Sequence, residues 1–275
     1  MTNTILLRDD DPNATTDVDR LARAYAPLLD AGLPINFSVI PEVALDTLAP
    51  DGRRERFIHE DAAHSSDLVP ITVDQPITQW LRRNPTLLGV MQHGHTHRRG
   101  PDGTEFGAIS ANVAAAKMDR GADVLEAAFG YRPHSFVPPW DVPSRGTIEA
   151  AAGRFDLLSC GYVDRRRLPL TAWPAHLAER RQRSELLRIG DLWISRHRGG
   201  RVQPDMAPSD VDAAVRHITE GVRLGVIVLH HWMFWNGAEP HPVIVALAKS
   251  LKGRRVVTVD TAILELYADA WRESA

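Results

Sequence analysis

Residues 87–99 read Leu-Leu-Gly-Val-Met-Gln-His-Gly-His-Thr-His-Arg-Arg, an apolar run that leads into a polar cluster. The run Leu87–Met91 is typical of a buried β-strand. Three of the twelve histidines of the chain, His93, His95 and His97, follow it at alternate positions. Imidazoles four residues apart share one side of a helical turn, and imidazoles two residues apart share one face of an extended segment. Either geometry brings at least two of these histidines together.

Paired imidazoles of this kind predict a metal site. Imidazole is a common ligand of zinc and similar divalent ions, and a catalytic zinc usually takes three protein ligands and leaves one position open. A His-x-x-x-His spacing also occurs where both histidines are only hydrogen-bonded at the end of a strand. The choice between these interpretations depends on the rest of the chain.

Composition sets the broad class of the protein. The chain has 275 residues, of which 44% are apolar and 24% charged, and (β/α) barrels of this size fold as single units. We therefore expect one domain over residues 1–275. A net charge of −3 gives no reason to expect nucleic acid or an anionic membrane as a partner, and one cysteine, Cys160, excludes an internal disulfide. With no leader sequence and no run of transmembrane length, we expect a cytoplasmic protein.

Strand and helix patterns alternate along the chain. A strand over residues 4–7, a helix over 18–31 capped by Thr15-Thr16-Asp17, and a strand over 34–40 predict a right-handed parallel crossover. The later predicted helices cover residues 77–83, 111–128, 210–224 and 241–251, and the later strands cover 131–140, 157–159, 192–195, 226–230 and 256–259. This alternation predicts a parallel α/β architecture with its chemistry at the carboxyl ends of the strands.

Polar residues follow several of these strands. Asp9–Asp11 follow the first strand, Trp140 and Asp141 follow another, and His230 and His231 follow an apolar strand near the end of the chain. Adjacent carboxylates repel one another and predict a positive charge nearby, which a metal ion would supply. In a parallel barrel all these strand ends face one side. Together with the histidines they predict a hydrolytic metal site rather than a structural zinc, which favours four closed ligands, commonly cysteines.

These motifs resemble those of the polysaccharide deacetylases of carbohydrate esterase family 4 and their cytoplasmic-looking relatives. The resemblance extends from about Leu6 to Trp235 and covers four of the five short family motifs in the right order. They are Arg8-Asp9-Asp10-Asp11-Pro12, His93 with His97, Arg132-Pro133 leading to Pro138-Pro139-Trp140, and Leu229-His230. The fourth family motif has no convincing match, with Asp156 and Asp164 as the candidates for its aspartate. The fold implied is a distorted (β/α)7-type barrel of parallel strands with the site at their carboxyl ends.

The resemblance also implies a set of residue roles. One divalent metal ion would be held by one aspartate together with His93 and His97, with water completing its shell. We expect zinc first, and cobalt, nickel, manganese and iron also accept two imidazoles and a carboxylate. A second aspartate would be the general base toward the water, and His230 would protonate the departing amine.

The triple aspartate leaves the register open. Alignment on Pro12 makes Asp9 the base and Asp10 the metal ligand. Alignment on Arg8, as in relatives that read Arg-x-Asp-Asp, makes Asp10 the base and Asp11 the ligand. We prefer the second alignment, and Asp10 is functional in both.

The second and fifth motifs depart from the family pattern. Gly94 stands where the family usually has serine or threonine, and His95 lies between the two ligands, where it lines the pocket or packs beneath it. His230 is followed directly by His231. Because neighbours on a strand point in opposite directions, only one of these two histidines should face the metal.

Candidate substrate contacts are Arg132, Trp140, His231 and Trp232. The aromatic rings suit stacking against a sugar, and they also suit a barrel plug or an oligomer contact. The sequence thus predicts a metal-dependent hydrolase of non-peptide C–N bonds, which removes the acetyl group of an acetylated amino sugar or a related small acetamide. Its partner would be a small-molecule or oligosaccharide substrate. The alternatives are a catalytically silent carbohydrate-binding barrel and a metal-independent hydrolase of cyclic amides.

Overall fold

The computed structural model describes residues 4–49, 51–100, 102–161, 163, 165–174, 176–177, 185–197 and 202–274. The strands are β1 Thr4–Asp10, β2 Ile35–Val39, β3 Glu42–Ala44, β4 Leu68–Pro70, β5 Leu88–His93, β6 Ser135–Val137, β7 Leu157–Cys160, β8 Leu186–Ile189, β9 Leu192–Arg196, β10 Leu224–Leu229 and β11 Arg255–Val256. The α-helices are α1 Val18–Asp30, α2 Pro76–Arg82, α3 Ala111–Phe129, α4 Arg145–Ala151, α5 Val211–Thr219, α6 Pro242–Leu251 and α7 Val259–Ser274.

The main sheet is a nearly closed barrel. In the described residues, seven neighbouring strands run parallel in the order β10-β1-β2-β5-β6-β7-β9, and β8 joins the end of the sheet antiparallel to β9. The start of β1 pairs with β11, whereas its end pairs with β2. β3 and β4 form a separate antiparallel pair. The predicted distorted (β/α)7-type barrel is confirmed, and the carboxyl ends of its seven parallel strands lie on one side.

Side chains along β1 alternate between two environments. Ile5 and Leu7 pack in one cluster with Tyr25 of α1, on the helix side of the sheet. Leu6 packs in a second cluster, whose members come from seven different strands and therefore meet inside the barrel. Because alternate residues of a strand share a face, Arg8 and Asp10 are directed to the interior and Asp9 to the helix layer.

Several element boundaries follow from local chemistry. α1 begins after Asp17, whose side chain accepts the backbone N–H of Arg20 at 3.0 Å. α3 ends at Gly130, which has a φ of 86° and forms the left-handed cap that glycine favours. Both helices start where the sequence predicts.

Other predictions of the secondary structure were wrong. The predicted strand over 256–259 ends at Val256, because the apolar residues from Val259 onward have helical spacing and pack into the barrel interior as α7. The predicted helix over 210–224 ends at Thr219, since Leu224 already starts the buried strand β10. The helices α4 and α7 and the strands β3, β4 and β8 were not predicted from the sequence. No helix of the described residues has the length and apolar character needed to cross a membrane.

Candidate metal centre

Three side chains from the ends of β1 and β5 converge at the carboxyl side of the barrel. The Oδ1 oxygen of Asp11 lies 3.2 Å from Nε2 of His93 and 3.2 Å from Nε2 of His97. All three residues are buried, and one ligand atom from each lies within 4.8 Å of the other two. The structure thus brings together the three residues that the sequence predicts as metal ligands.

The hydrogen bonds of the two imidazoles fit a metal ion. Nδ1 of His93 lies 3.1 Å from the carbonyl oxygen of Val137, which can only accept, so the ring proton belongs on Nδ1. Nε2 then directs a lone pair at a carboxylate oxygen of Asp11, and two acceptors this close require a cation or a shared proton between them. Nδ1 of His97 is buried and has no partner among the described residues. One carboxylate and two imidazoles are a donor set suited to a divalent transition metal.

The electrostatics of Asp11 agree with this arrangement. Burial alone would raise the pKa of the Asp11 carboxyl, but His93 and His97 hold it well below its usual value. Trp232 contributes from the other side, because its indole Nε1 donates to Oδ2 of Asp11 at 3.0 Å. Asp11 is therefore a fixed, ionised carboxylate at the centre of the cluster.

A cavity of about 210 Å3 opens above these ligands. The cavity is lined by Asp10, Asp11, Glu55, Phe57, His93, His97, Trp140, Asp141, Gln203, His230, Trp232 and Met233. Nε2 of His230 lies 3.8 Å from Oδ2 of Asp11. His230, Trp140 and Trp232 thus reach the cavity, as the sequence predicts.

Unusual backbone conformations are concentrated at this cavity. Four described residues other than glycine have a positive φ: Asp11 at 80°, His97 at 57°, Trp140 at 58° and Asp141 at 60°. All four line the cavity. Such conformations cost free energy and collect at functional sites, where the surrounding structure imposes them. The strain here fixes where the two ligands and the Trp140 ring point.

Asp10 is positioned by a buried arginine on its own strand. Nη2 of Arg8 lies 2.7 Å from Oδ2 of Asp10 and 2.7 Å from Oδ1 of Asp141, and Arg8 is fully buried. The other oxygen of Asp10, Oδ1, is buried without a partner among the described residues. One oxygen of Asp10 is thus fixed by a cation, and the other is free to accept a proton.

Asp141 belongs to the same network, which extends to His197. Nε2 of His197 lies 2.9 Å from Oδ2 of Asp141. Burial would raise the pKa of the Asp141 carboxyl, but Arg8 and His197 hold it well below its usual value. The three adjacent aspartates predicted a positive charge nearby, and Arg8 supplies part of it. The roles of Arg8 and His197 were not predicted from the sequence, although a charged residue in the apolar strand β1 was a visible signal for the role of Arg8.

Asp9 lies on the other face of β1, away from the cavity. It accepts the hydroxyl of Tyr25 and the backbone N–H of His231, and all three residues are buried. Burial raises the pKa of Asp9, against the opposing effect of His231. This geometry favours the alignment on Arg8, with Asp10 at the cavity and Asp11 among the ligands.

The structure places two of the predicted substrate contacts, His231 and Arg132, away from the cavity. His231 is only 1% exposed, contacts Asp9 and is not among the cavity residues, because it follows His230 on the strand path and points the opposite way. Arg132 precedes β6, at the opposite end of the barrel from the cavity, and forms ion pairs with Asp123 and Glu126 of α3. Neither side chain lines the cavity.

Of the two candidates for the missing fourth motif, the one that the structure describes lies away from the cavity. Asp156 precedes β7, at the amino end of the strand, and contacts His134 and Tyr267. Asp164 lies outside the described residues.

The departures in the second motif have a steric explanation. Gly94 has a φ of 55°, and a Cβ atom there would lie 2.5 Å from Cγ of Pro139. A serine or threonine therefore does not fit. His95 points away from the cavity, with its Nε2 2.6 Å from Oε2 of Glu42, and so packs beside the ligand loop rather than in the pocket.

Comparison with known proteins gives one curated relative by sequence. It is a protein from Flavobacterium lutescens named dihydroorotate dehydrogenase (quinone), 30% identical over 190 residues, which are 66% of this chain and 52% of that protein. The chain thus spans about half the length of the relative that it matches. No protein-family model matches the chain.

Solved structures give a consistent fold. A Mycobacterium smegmatis protein assigned as a polysaccharide deacetylase superposes with a TM-score of 0.58 at 15% identity, over 97% of this chain and 91% of that one. The family 4 carbohydrate esterase domain of a xylanase from the hindgut metagenome of Trinervitermes trinervoides gives 0.50 at 12% identity, over 98% and 92%. A family 4 pseudoenzyme from Bacillus anthracis gives 0.50 at 11% identity, over 95% and 66%. This chain therefore has the fold of the polysaccharide deacetylases of carbohydrate esterase family 4.

Proposed function

We propose that the protein is a metal-dependent hydrolase of non-peptide amide bonds that removes the acetyl group from an acetylated amino sugar or a related small acetamide. One observation carries the proposal. The cluster of Asp11, His93 and His97 faces the same cavity as Asp10, whose Oδ1 oxygen has no partner among the described residues. Hydrolysis of an amide needs metal ligands, a general base and a general acid close together, whereas recognition alone needs neither the base nor the acid.

Asp11, His93 and His97 would hold the metal. When bound, a divalent ion supplies Lewis-acid polarisation of the amide carbonyl and lowers the pKa of water. Zinc is our first expectation, with cobalt, nickel, manganese and iron as alternatives, because all accept this donor set.

Asp10 would be the general base. Arg8 binds its Oδ2, so only the free Oδ1 is available to take a proton from the attacking water. The water oxygen bonds to the carbonyl carbon as that proton moves to Asp10. Because Arg8 fixes the carboxylate, Asp10 accepts the proton without first having to reorient.

His230 would be the general acid. Its ring lines the cavity and lies 3.8 Å from Asp11, on the strand next to β1. As the C–N bond breaks, His230 donates a proton to the departing nitrogen, so that the products are acetate and a free amine. Trp140 and Trp232 form apolar walls against which a sugar ring would pack.

The alternatives receive less support from the same residues. A silent binding barrel needs neither a free carboxylate nor an acid, and a metal-independent amide hydrolase does not need the three converging ligands. The dehydrogenase activity named for the curated relative is not part of this proposal, because the match covers about half of that protein. One domain over residues 1–275 and a cytoplasmic location stay predictions from the sequence.

The test is acetate release from N-acetylated hexosamines and short N-acetylated oligosaccharides by the protein loaded with zinc, cobalt or nickel. We expect Asp10→Asn and His230→Ala to reduce kcat by about 10²–10⁴-fold while both still bind metal. Arg132→Ala is the matched control and should retain wild-type activity, because its side chain lies outside the site. Failure of every metal-loaded form to release acetate, or full activity in Asp10→Asn, would contradict the proposal.

A further inference from the structure

The loop that carries the second histidine ligand surrounds a buried carboxylate. Oε2 of Glu105 accepts the backbone N–H groups of His95 at 3.2 Å and His97 at 3.0 Å, and Oε1 accepts that of Thr96 at 3.0 Å. The Thr96 hydroxyl also donates to Oε1 at 3.0 Å. Three consecutive N–H groups thus point at one carboxylate, and Glu105 is only 2% exposed.

The carbonyl groups of the same loop are paired on its other side. The backbone N–H of Glu42 donates to the carbonyl of His95 and that of Ala44 to the carbonyl of Thr96, both at 3.0 Å. With its carbonyls bound to β3 and its N–H groups bound to Glu105, the loop between the two ligands has a fixed path. Buried backbone polar groups without partners are costly, so a loop path that breaks these hydrogen bonds would be less favourable.

The charge of Glu105 is compensated within the fold. Nζ of Lys117, on α3, lies 2.8 Å from Oε1. Burial would raise the pKa of Glu105, but Lys117 and the loop N–H groups lower it below its usual value. Glu105 is therefore ionised at neutral pH, and five donors converge on its two oxygens.

We propose that Glu105 is a positioning residue for the metal centre, which holds the loop from Gly94 to His97 so that the His93 and His97 rings face Asp11 before a metal ion arrives. This inference rests on the proposed metal site. His97 has an unusual backbone conformation, with a φ of 57°, and its backbone N–H donates to Glu105 at 3.0 Å, which helps to hold that conformation. Gly94 allows Glu105 to approach the loop this closely, since a Cβ atom at position 94 would lie only 2.6 Å from Oε2 of Glu105.

The test compares Glu105→Gln with Glu42→Gln. Glutamine has nearly the same shape, but its amide group places a donor where the loop or Lys117 also donates, so the loop must shift. Glu42 is the matched control, because it is also buried and its carboxylate accepts from the side chains of His95 and Arg120 but not from the backbone N–H groups of the ligand loop. Calorimetric titration of the metal-free proteins with zinc and cobalt gives the affinity and the stoichiometry.

We expect Glu105→Gln to bind one ion with about 10–100-fold weaker affinity and Glu42→Gln to bind like the wild type. A merely structural role would lower Tm in the metal-free protein without changing the affinity well below Tm. The visible absorption of the cobalt-loaded protein supplies a second readout, since a displaced His97 changes the coordination geometry. That spectrum should change in Glu105→Gln only.

Glu105→Asp is a second arm in case Glu105→Gln does not fold. It keeps the charge but is one methylene shorter, so it cannot contact all three N–H groups, and we expect weaker metal binding from it as well. Wild-type affinity in either folded variant would overturn the role of Glu105 and leave the proposed function intact. A wild-type protein that binds no metal would overturn both.

Discussion

Asp9 and His231 are joined twice beneath the cavity. Oδ1 of Asp9 accepts the backbone N–H of His231 at 2.7 Å, and Oδ2 lies 3.0 Å from Nδ1 of the same residue. This link connects the ends of β1 and β10 on the helix side of the sheet. The neighbouring residues Asp10 and His230 face the cavity instead. The residues next to the proposed base and acid thus have a structural role.

Replacing Asp9 by alanine should therefore destabilise the protein more than replacing it by asparagine. Asp9→Ala leaves the Tyr25 hydroxyl and the His231 N–H buried without an acceptor, which should lower the free energy of unfolding by about 3 kcal/mol or more. Asp9→Asn retains that acceptor oxygen, and His231 can accept from the new amide by changing its tautomer, so the loss should be about 1 kcal/mol. Urea unfolding at neutral pH measures both. Equal losses of unfolding free energy in the two variants would show that these hydrogen bonds do not contribute to stability.

Arg8 should contribute strongly to the stability of the folded protein, because it pairs with two carboxylates inside the barrel. Arg8→Met removes the cation between Asp10 and Asp141 and leaves two buried carboxylates facing each other. We expect a loss of about 3–5 kcal/mol in the free energy of unfolding, with Arg8→Lys retaining part of it, because lysine keeps the charge but not the planar geometry. An Arg8→Met protein as stable as the wild type would contradict the network.

The Asp141 carboxylate should give stability a specific pH dependence. Its pKa is lower in the folded than in the unfolded protein, so its contribution is present above the ordinary aspartate pKa of about 3.9 and is lost as the pH falls toward the folded value. The wild type should be about 3 kcal/mol more stable than Asp141→Asn at pH 7, with a smaller difference at pH 3. Parallel urea titrations at both pH values test this. A difference that grows in acid would reverse the sign and refute the assignment.

Cys160 should not react in the folded protein. Burial raises the pKa of its thiol to about 12, so the thiol stays protonated as well as inaccessible at neutral pH. Iodoacetamide at pH 8 should label Cys160 only after the chain is unfolded by denaturant. Rapid labelling of the native protein would show that the end of β7 opens to solvent.

Much of the barrel was predictable because apolar patterns and strand ends are local features. The alternation of strands with helices predicted the parallel sheet, and the histidines after β5 and β10 predicted which end of the barrel carries the site. α7 was missed because the valines at and before its start also fit a short strand over 256–259, and because the strands that α7 packs against are distant in sequence. A local pattern cannot show which cluster a helix joins.

The site was predictable only where one strand or one turn sets the geometry. Asp11, His93 and His97 come from two strand ends, so their spacing was informative. The role of Glu105 depends on a loop folding back onto another loop, and that of His197 depends on the pairing of β7 with β9. Arg132 was predicted because its sequence motif resembles the family motif, but in the fold it lies away from the cavity, and a buried arginine from β1, Arg8, contacts Asp10.

The metal content of the protein shows whether Asp11, His93 and His97 form a metal site. The wild type and the variants His93→Ala, His97→Ala and His95→Ala are dialysed against zinc, cobalt or nickel, and the bound metal is measured by elemental analysis. We predict about one ion per chain in the wild type and in His95→Ala, whose ring faces Glu42 instead of the cavity, and loss of that ion in the other two variants. A wild type that retains no ion under any loading, or His93→Ala and His97→Ala proteins that retain it fully, would contradict the proposed metal site.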